Sequence, residues 1–145
     1  MVIDDEEALV KLATETLMEL GCSAVGFTSS AKALEVFMAD PAQFDAVITD
    51  ESMPGMSGSQ LIMKVRAQRP TIPVVLMSGY LSTTVAERAR EVGATEVLGK
   101  PLRARQLQIA LGRVLSPTTS PIKNDLASSK RSTASAKPRR RASAS

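Results

Sequence analysis

The chain has no histidine and no tryptophan, a single cysteine, and only one tyrosine and three phenylalanines among 145 residues. Each shortage closes off some chemistry. Without an imidazole there is no general base titrating near neutral pH, no histidine metal ligand, and no histidine to carry a phosphoryl group. The lone thiol, Cys22, cannot close an intramolecular disulfide, which fits a reducing, cytoplasmic setting. No apolar run approaches the roughly 18 residues of a membrane span. The opening Met1-Val2-Ile3-Asp4-Asp5 argues against a secretory leader. With 3% aromatics and 43% hydrophobic residues, a core has to be built from Leu, Val, Ile, Met and Ala.

Charge is unevenly spread. Residues 1–115 hold 11 Lys and Arg against 14 Asp and Glu, whereas residues 116–145 hold seven against one. The net charge of +3 therefore comes from the C-terminal stretch. That stretch is rich in Ser, Thr, Pro, Lys and Arg and poor in large apolar side chains. It cannot bury enough surface to offset ordering. Residues 1–115 are expected to be the folded domain and 116–145 a disordered basic tail. The run Lys137-Pro138-Arg139-Arg140-Arg141 is expected to attract anions weakly, with nothing pointing to a specific nucleic acid.

Through residue 115, short β-branched runs alternate with helical patterns. Met1–Ile3 reads as a strand with almost nothing before it, so the first strand is expected to be clipped. Further strands are expected at Ala24–Phe27, Ala46–Asp50, Val74–Met77 and Glu96–Leu98. Helices are expected at Glu6–Leu20, Ser30–Ala39, Ser59–Gln68, Thr84–Val92 and Arg103–Leu115. In the first, Asp5 suits the cap, and Leu9, Ala13, Leu17 and Leu20 share a face. Gly21 and Gly93 suit helix ends. This alternation implies βαβ units and a parallel sheet covered on both faces.

Five polar side chains fall at strand ends. Asp4 and Asp5 follow the first strand, Asp50 ends the third, Ser78 follows the fourth and Lys100 the fifth. In a parallel sheet these positions converge on the edge where ligands bind. Three carboxylates gathered there repel one another unless a cation sits among them. Oxygen ligands suit a hard divalent ion, and Mg²⁺ fits where phosphate completes the shell. Lys100 adds a point charge for a phosphate oxygen, and Ser78 adds a hydroxyl donor. A carboxylate nucleophile with positive charge on the equatorial oxygens is enough for phosphoryl transfer. Taken singly, each residue is what an ordinary helix cap, turn or surface lysine looks like. The joint placement carries the reading.

The segments Val2-Ile3-Asp4-Asp5-Glu6, Ile48-Thr49-Asp50, Met53-Pro54-Gly55-Met56-Ser57-Gly58, Leu76-Met77-Ser78-Gly79 and Gly99-Lys100-Pro101 resemble the receiver (CheY-like) domain of two-component response regulators. The resemblance spans residues 1 to about 115. It implies a flavodoxin-like α/β fold, (βα)5 and doubly wound, with parallel strand order 2-1-3-4-5. It implies Asp50 as phosphoacceptor and Asp4 and Asp5 as the acidic pair that holds Mg²⁺ with Asp50. The backbone carbonyl of Ser52 would join them. Ser78 matches the switch hydroxyl, Lys100 the phosphate-pairing lysine and Pro101 the family's cis-proline. Pro54 and Gly58 shape the loop that presents Asp50. The implied activity is that of a signalling receiver in a phosphorelay, catalysing only its own phosphorylation and dephosphorylation. The implied donor is a sensor histidine kinase or histidine phosphotransfer protein. The segments around Asp50 and Ser78 also look like receivers fused to hybrid histidine kinases.

The chain departs from the family at Val97, where an aromatic switch residue is usual, and its only tyrosine is Tyr80. Output is therefore expected through the loop from Ser78 to Thr84. Other functions fit less well. A phosphorylation-independent binding module of receiver fold would be expected to have lost acids or Lys100. An aspartate-nucleophile phosphatase would carry an acid at position 52, and a dinucleotide-binding domain would not place Asp4-Asp5-Glu6-Glu7 after its first strand.

Overall fold

Runs of β-branched residues too short to form helices pair side by side in the computed structural model, which describes residues 1–115. The strands are β1 (Val2–Ile3), β2 (Gly26–Phe27), β3 (Val47–Asp50), β4 (Val74–Ser78) and β5 (Glu96–Gly99). All neighbours are parallel, and the spatial order is β2-β1-β3-β4-β5. The helices between and after them are α1 (Glu7–Glu19), α2 (Ser30–Ala39), α3 (Gly58–Gln68), α4 (Thr83–Glu91) and α5 (Ala104–Leu115). A 3₁₀ turn at Pro41–Gln43 leads into β3. This is the flavodoxin-like order expected from the sequence. The expected tail lies outside the described residues. No helix among the described residues is long and apolar enough to cross a membrane.

Alternation along the strands divides the core in two. Ile3, Val47, Val74 and Leu76 face α2 and α3, meeting Phe37, Leu61, Ile62 and Val65. Val2, Ile48, Val75 and Met77 face α1 and α5, meeting Ala13, Leu17, Leu107, Leu111 and Val114. A period of two in a strand produces this division, and both faces are apolar because both are covered. Phe37 is fully buried and stacks on Phe44, ring centroids 6.1 Å apart.

Several boundaries differ from expectation. Asp5 does not cap α1. Glu6 occupies the N-cap without a side-chain bond, and Asp4 Oδ1 accepts the Glu6 N–H at 3.0 Å. Val10 faces the core of α1 together with Ala13 and Leu17, while Leu20 is exposed beyond the helix end. Helix α3 starts one residue early, because Ser57 and Gln60 form a reciprocal capping box. Strand β2 keeps only two of its four expected residues. Gly21 and Gly93 do close helices, at φ of 89° and 110°. Arg66 ties the far side together, its guanidinium donating to the carbonyls of Gly93, Pro70 and Ile72.

Replacing Phe37 by Ala removes the largest fully buried side chain and its stacked partner contact. The expected cost is roughly 3–5 kcal/mol, read as a lower urea midpoint by circular dichroism. A loss of less than about 1 kcal/mol would show that this layer repacks.

Candidate functional site

The carboxyl ends of β1, β3, β4 and β5 bring the five expected residues, Asp4, Asp5, Asp50, Ser78 and Lys100, to one edge. Strand β3 lies between β1 and β4 and is buried along its whole length, so Asp50 at its end is also buried, 4% exposed. Asp4 directly follows β1 and is 1% exposed. Asp5 is exposed beside it. The chain then turns sharply at both strand ends. Asp4 does so by accepting the Glu6 amide. The chain leaving Asp50 is held by α3, whose Gly58 packs on the Asp50 backbone. A Cβ there would lie 2.2 Å from the Asp50 carbonyl oxygen. Only glycine permits that approach.

Lys100 follows β5 at a cis peptide bond to Pro101, as the resemblance implied. Its backbone N–H donates to the Ser78 carbonyl at 2.8 Å. Its ammonium lies 2.7 Å from Asp4 Oδ2 and 3.1 Å from Asp50 Oδ1. One cation thus bridges two buried carboxylates. Burial pushes the Asp50 carboxyl above its ordinary value; Lys100 works against this and the Asp4 charge adds to it. Burial would lower the Lys100 pKa, but the bonds to Asp4 and Asp50 outweigh it and the net direction is up. Lys100 therefore stays charged.

A carboxylate oxygen from each of Asp4, Asp5 and Asp50 falls within 4.8 Å of the others. Three hard oxygen donors at this spacing, with Lys100 the one cation paired to them among the described residues, fit a divalent cation such as Mg²⁺. Ser52 is exposed in the loop two residues after Asp50. Ser78 is buried at the end of β4, but its hydroxyl is turned onto its own loop. Oγ donates to the Tyr80 carbonyl at 2.8 Å and accepts the Tyr80 N–H at 3.3 Å. Tyr80 itself is 75% exposed. Val97 sits half-buried against the core.

Two features were not anticipated from the sequence. Glu51, next to Asp50, binds Ser59 at the start of α3 through both carboxylate oxygens. An acid close to a helix start facing a serine was the available signal. A groove of about 350 Å³ also opens on Asp4 and Lys100, walled by Leu9, Leu12 and Thr16 of α1 and by Leu102, Ala104 and Leu107. It lies between α1 and the segment from Lys100 to Leu107, a juxtaposition that no local sequence pattern announces.

The raised Asp50 value has a consequence for stability. A carboxyl whose folded pKa exceeds its unfolded value destabilises the fold once ionised. The effect is absent below the ordinary carboxylate range and grows as pH rises through the folded value. In chelator, Asp50→Asn is therefore expected to melt above the unsubstituted chain near neutral pH, and the gap is expected to close on acidification. A melting difference that does not change with pH would contradict this.

A profile for the response regulator receiver domain matches residues 1–112. The response regulator protein FleR of Pseudomonas aeruginosa is 36% identical over 107 residues, which cover 74% of this chain and 22% of that protein. The DNA-binding transcriptional regulator NtrC of Azospirillum brasilense is 35% identical over 121 residues, covering 83% and 25%. The chain thus spans about a quarter of the length of these relatives. Among solved structures, a response regulator receiver domain protein from Clostridium thermocellum superposes with a TM-score of 0.76 at 30% identity, covering 81% of this chain and 94% of that one. The receiver domain of NtrX from Brucella abortus gives 0.73 at 26% identity, covering 81% and 98%. With the acid cluster, the lysine and the strand order all in place, the chain belongs to the response regulator receiver domain family.

Proposed function

We propose that residues 1–115 accept a phosphoryl group on Asp50 from a phosphohistidine, held on a sensor histidine kinase or a histidine phosphotransfer protein. The observation that carries this is the buried Asp50 carboxylate, 3.1 Å from the Lys100 ammonium and clustered with Asp4 and Asp5. An Asp50 oxygen attacks phosphorus, the bond to the donor imidazole nitrogen breaks, and an acyl phosphate remains on Asp50. Mg²⁺ held by Asp4, Asp5, Asp50 and the Ser52 carbonyl would supply positive charge to the phosphoryl oxygens. Lys100 would pair with one of those oxygens. A donor domain has to cover this edge to deliver its imidazole, and the groove beside Lys100 offers apolar surface for it.

Phosphorylation adds about −1.5 to −2 charges and three acceptor oxygens. Ser78 ends β4, the strand paired with the one that carries Asp50, but its hydroxyl is engaged by Tyr80. Recruiting its hydroxyl breaks the bond to the Tyr80 carbonyl, so the segment from Ser78 to Thr84 is the part proposed to move. Val97 offers no ring to carry the change through β5. The population of loop conformations would then set partner affinity. A phosphorylation-independent binding module is less well supported, since every acid and Lys100 are retained at the edge. The relatives named above are regulators and not kinases, so placement in a hybrid kinase is not proposed.

Incubating the full chain with acetyl phosphate and Mg²⁺ is expected to add one phosphoryl group by intact mass. The adduct should vanish with chelator and in Asp50→Asn. A folded chain that takes up nothing would favour the binding-module reading. With a beryllofluoride mimic, amide exchange from Ser78 to Thr84 is expected to change while β5 changes little. Unaltered exchange in that loop would remove it as the output.

A further inference from the structure

Glu51 is tethered at three points. Its N–H donates to the Met77 carbonyl of β4 at 2.9 Å, and its carbonyl accepts the Gly58 N–H at 3.0 Å. Its carboxylate grips Ser59, Oε1 accepting the amide at 2.7 Å and Oε2 accepting the hydroxyl at 2.5 Å. The last distance is in the short range of charge-assisted O–H···O⁻ bonds. Residues 52–58 are thereby closed into a ring whose ends meet at Glu51. Ser52, the expected carbonyl ligand, is the first residue of that ring. Gly58 already touches the Asp50 carbonyl, so the ring has no slack at its other end.

Glu51 completes the cap of α3: the Ser57–Gln60 box takes the amides of Ser57 and Gln60, at 2.9 and 3.2 Å, and Glu51 takes those of Gly58 and Ser59. Capping alone does not require that this acceptor be the residue next to Asp50, and that placement ties the helix start to the acid cluster. The grip also disposes of a charge. Glu51 adjoins three clustered acids, and a free carboxylate there would add a fourth. Bound to Ser59, it instead points into the positive end of α3.

We propose that the Glu51–Ser59 clamp positions the Asp50–Ser52 segment for Mg²⁺, making Glu51 and Ser59 positioning residues for metal uptake. This rests on the functional reading above. The clamp holds the backbone of the loop in the orientation that the metal requires, and neither side chain touches the ion.

The test is Mg²⁺ affinity of the full chain by calorimetry, with melting temperature recorded for each variant. Glu51→Ala is expected to weaken Mg²⁺ on the order of tenfold, as loss of an outer ligand-orienting partner does. Ser59→Ala should weaken it less, and Ser59→Thr should restore it. Ser57→Ala is the control. It weakens the same helix end through a bond outside the clamp, and it should leave Mg²⁺ affinity unchanged. Unchanged affinity in folded Ser59→Ala and Glu51→Ala overturns the clamp alone. An equal loss in Ser57→Ala also overturns it, because helix stability would then explain the effect. An unsubstituted chain that binds no Mg²⁺ overturns the functional reading and the clamp with it.

Discussion

One ammonium group holds the functional edge together. Lys100 reaches across the sheet from the end of β5 to Asp4 and Asp50, at 2.7 and 3.1 Å. Neither carboxylate is appreciably exposed. Without a cation between them, two buried acids at this spacing would drive one another toward protonation. The lysine lets the edge stay charged and compact, and a charged, compact edge is what a divalent ion and a phosphoryl group need. The same bond makes the site conditional. A phosphoryl group arriving on Asp50, as proposed, would compete for this lysine against the two acids that now hold it.

The rest of the fold serves that placement. A parallel sheet with β1 and β3 adjacent puts Asp4 and Asp50 side by side, and it leaves β5 at the border so that Lys100 must reach inward. The turns off the strands are each fastened by a different device. Asp4 fastens its own by accepting the Glu6 amide, Asp50 is braced by the close approach of Gly58, and Ser78 folds onto Tyr80. Backbone geometry at this edge is therefore set by short-range bonds, while the apolar layers beneath fix only where the strands lie.

The alternation of strands and helices was legible because short β-branched runs, helical apolar patterns and glycine- or proline-marked ends announce themselves locally, while the strand order came from the resemblance to receiver domains. The site was legible because its residues fall at strand ends, where a parallel sheet brings them together. What failed was local competition. Asp5 looked like the better cap for α1, yet Asp4, although it faces Lys100, still has an oxygen to spare for the Glu6 amide. Leu20 looked like a core residue by spacing, but the helix ends before it and Val10 fills the face. The Glu51–Ser59 contact was not visible because it depends on how a loop closes. The groove beside Lys100 was not visible because it depends on how α1 meets the segment that leads into α5.

The turn at Ser78 has an optical side. Tyr80 is the only tyrosine in a chain without tryptophan, so it alone provides the near-ultraviolet absorbance and emission of an indole- or phenol-type chromophore. Its ring projects into solvent, and its backbone grips the hydroxyl proposed to respond to phosphorylation. A quenching or shift of the tyrosine emission reports on this loop, since no other residue carries a phenol or an indole. β5 carries Val97 and no ring, and the molecule's one phenol sits instead in the loop that follows Ser78.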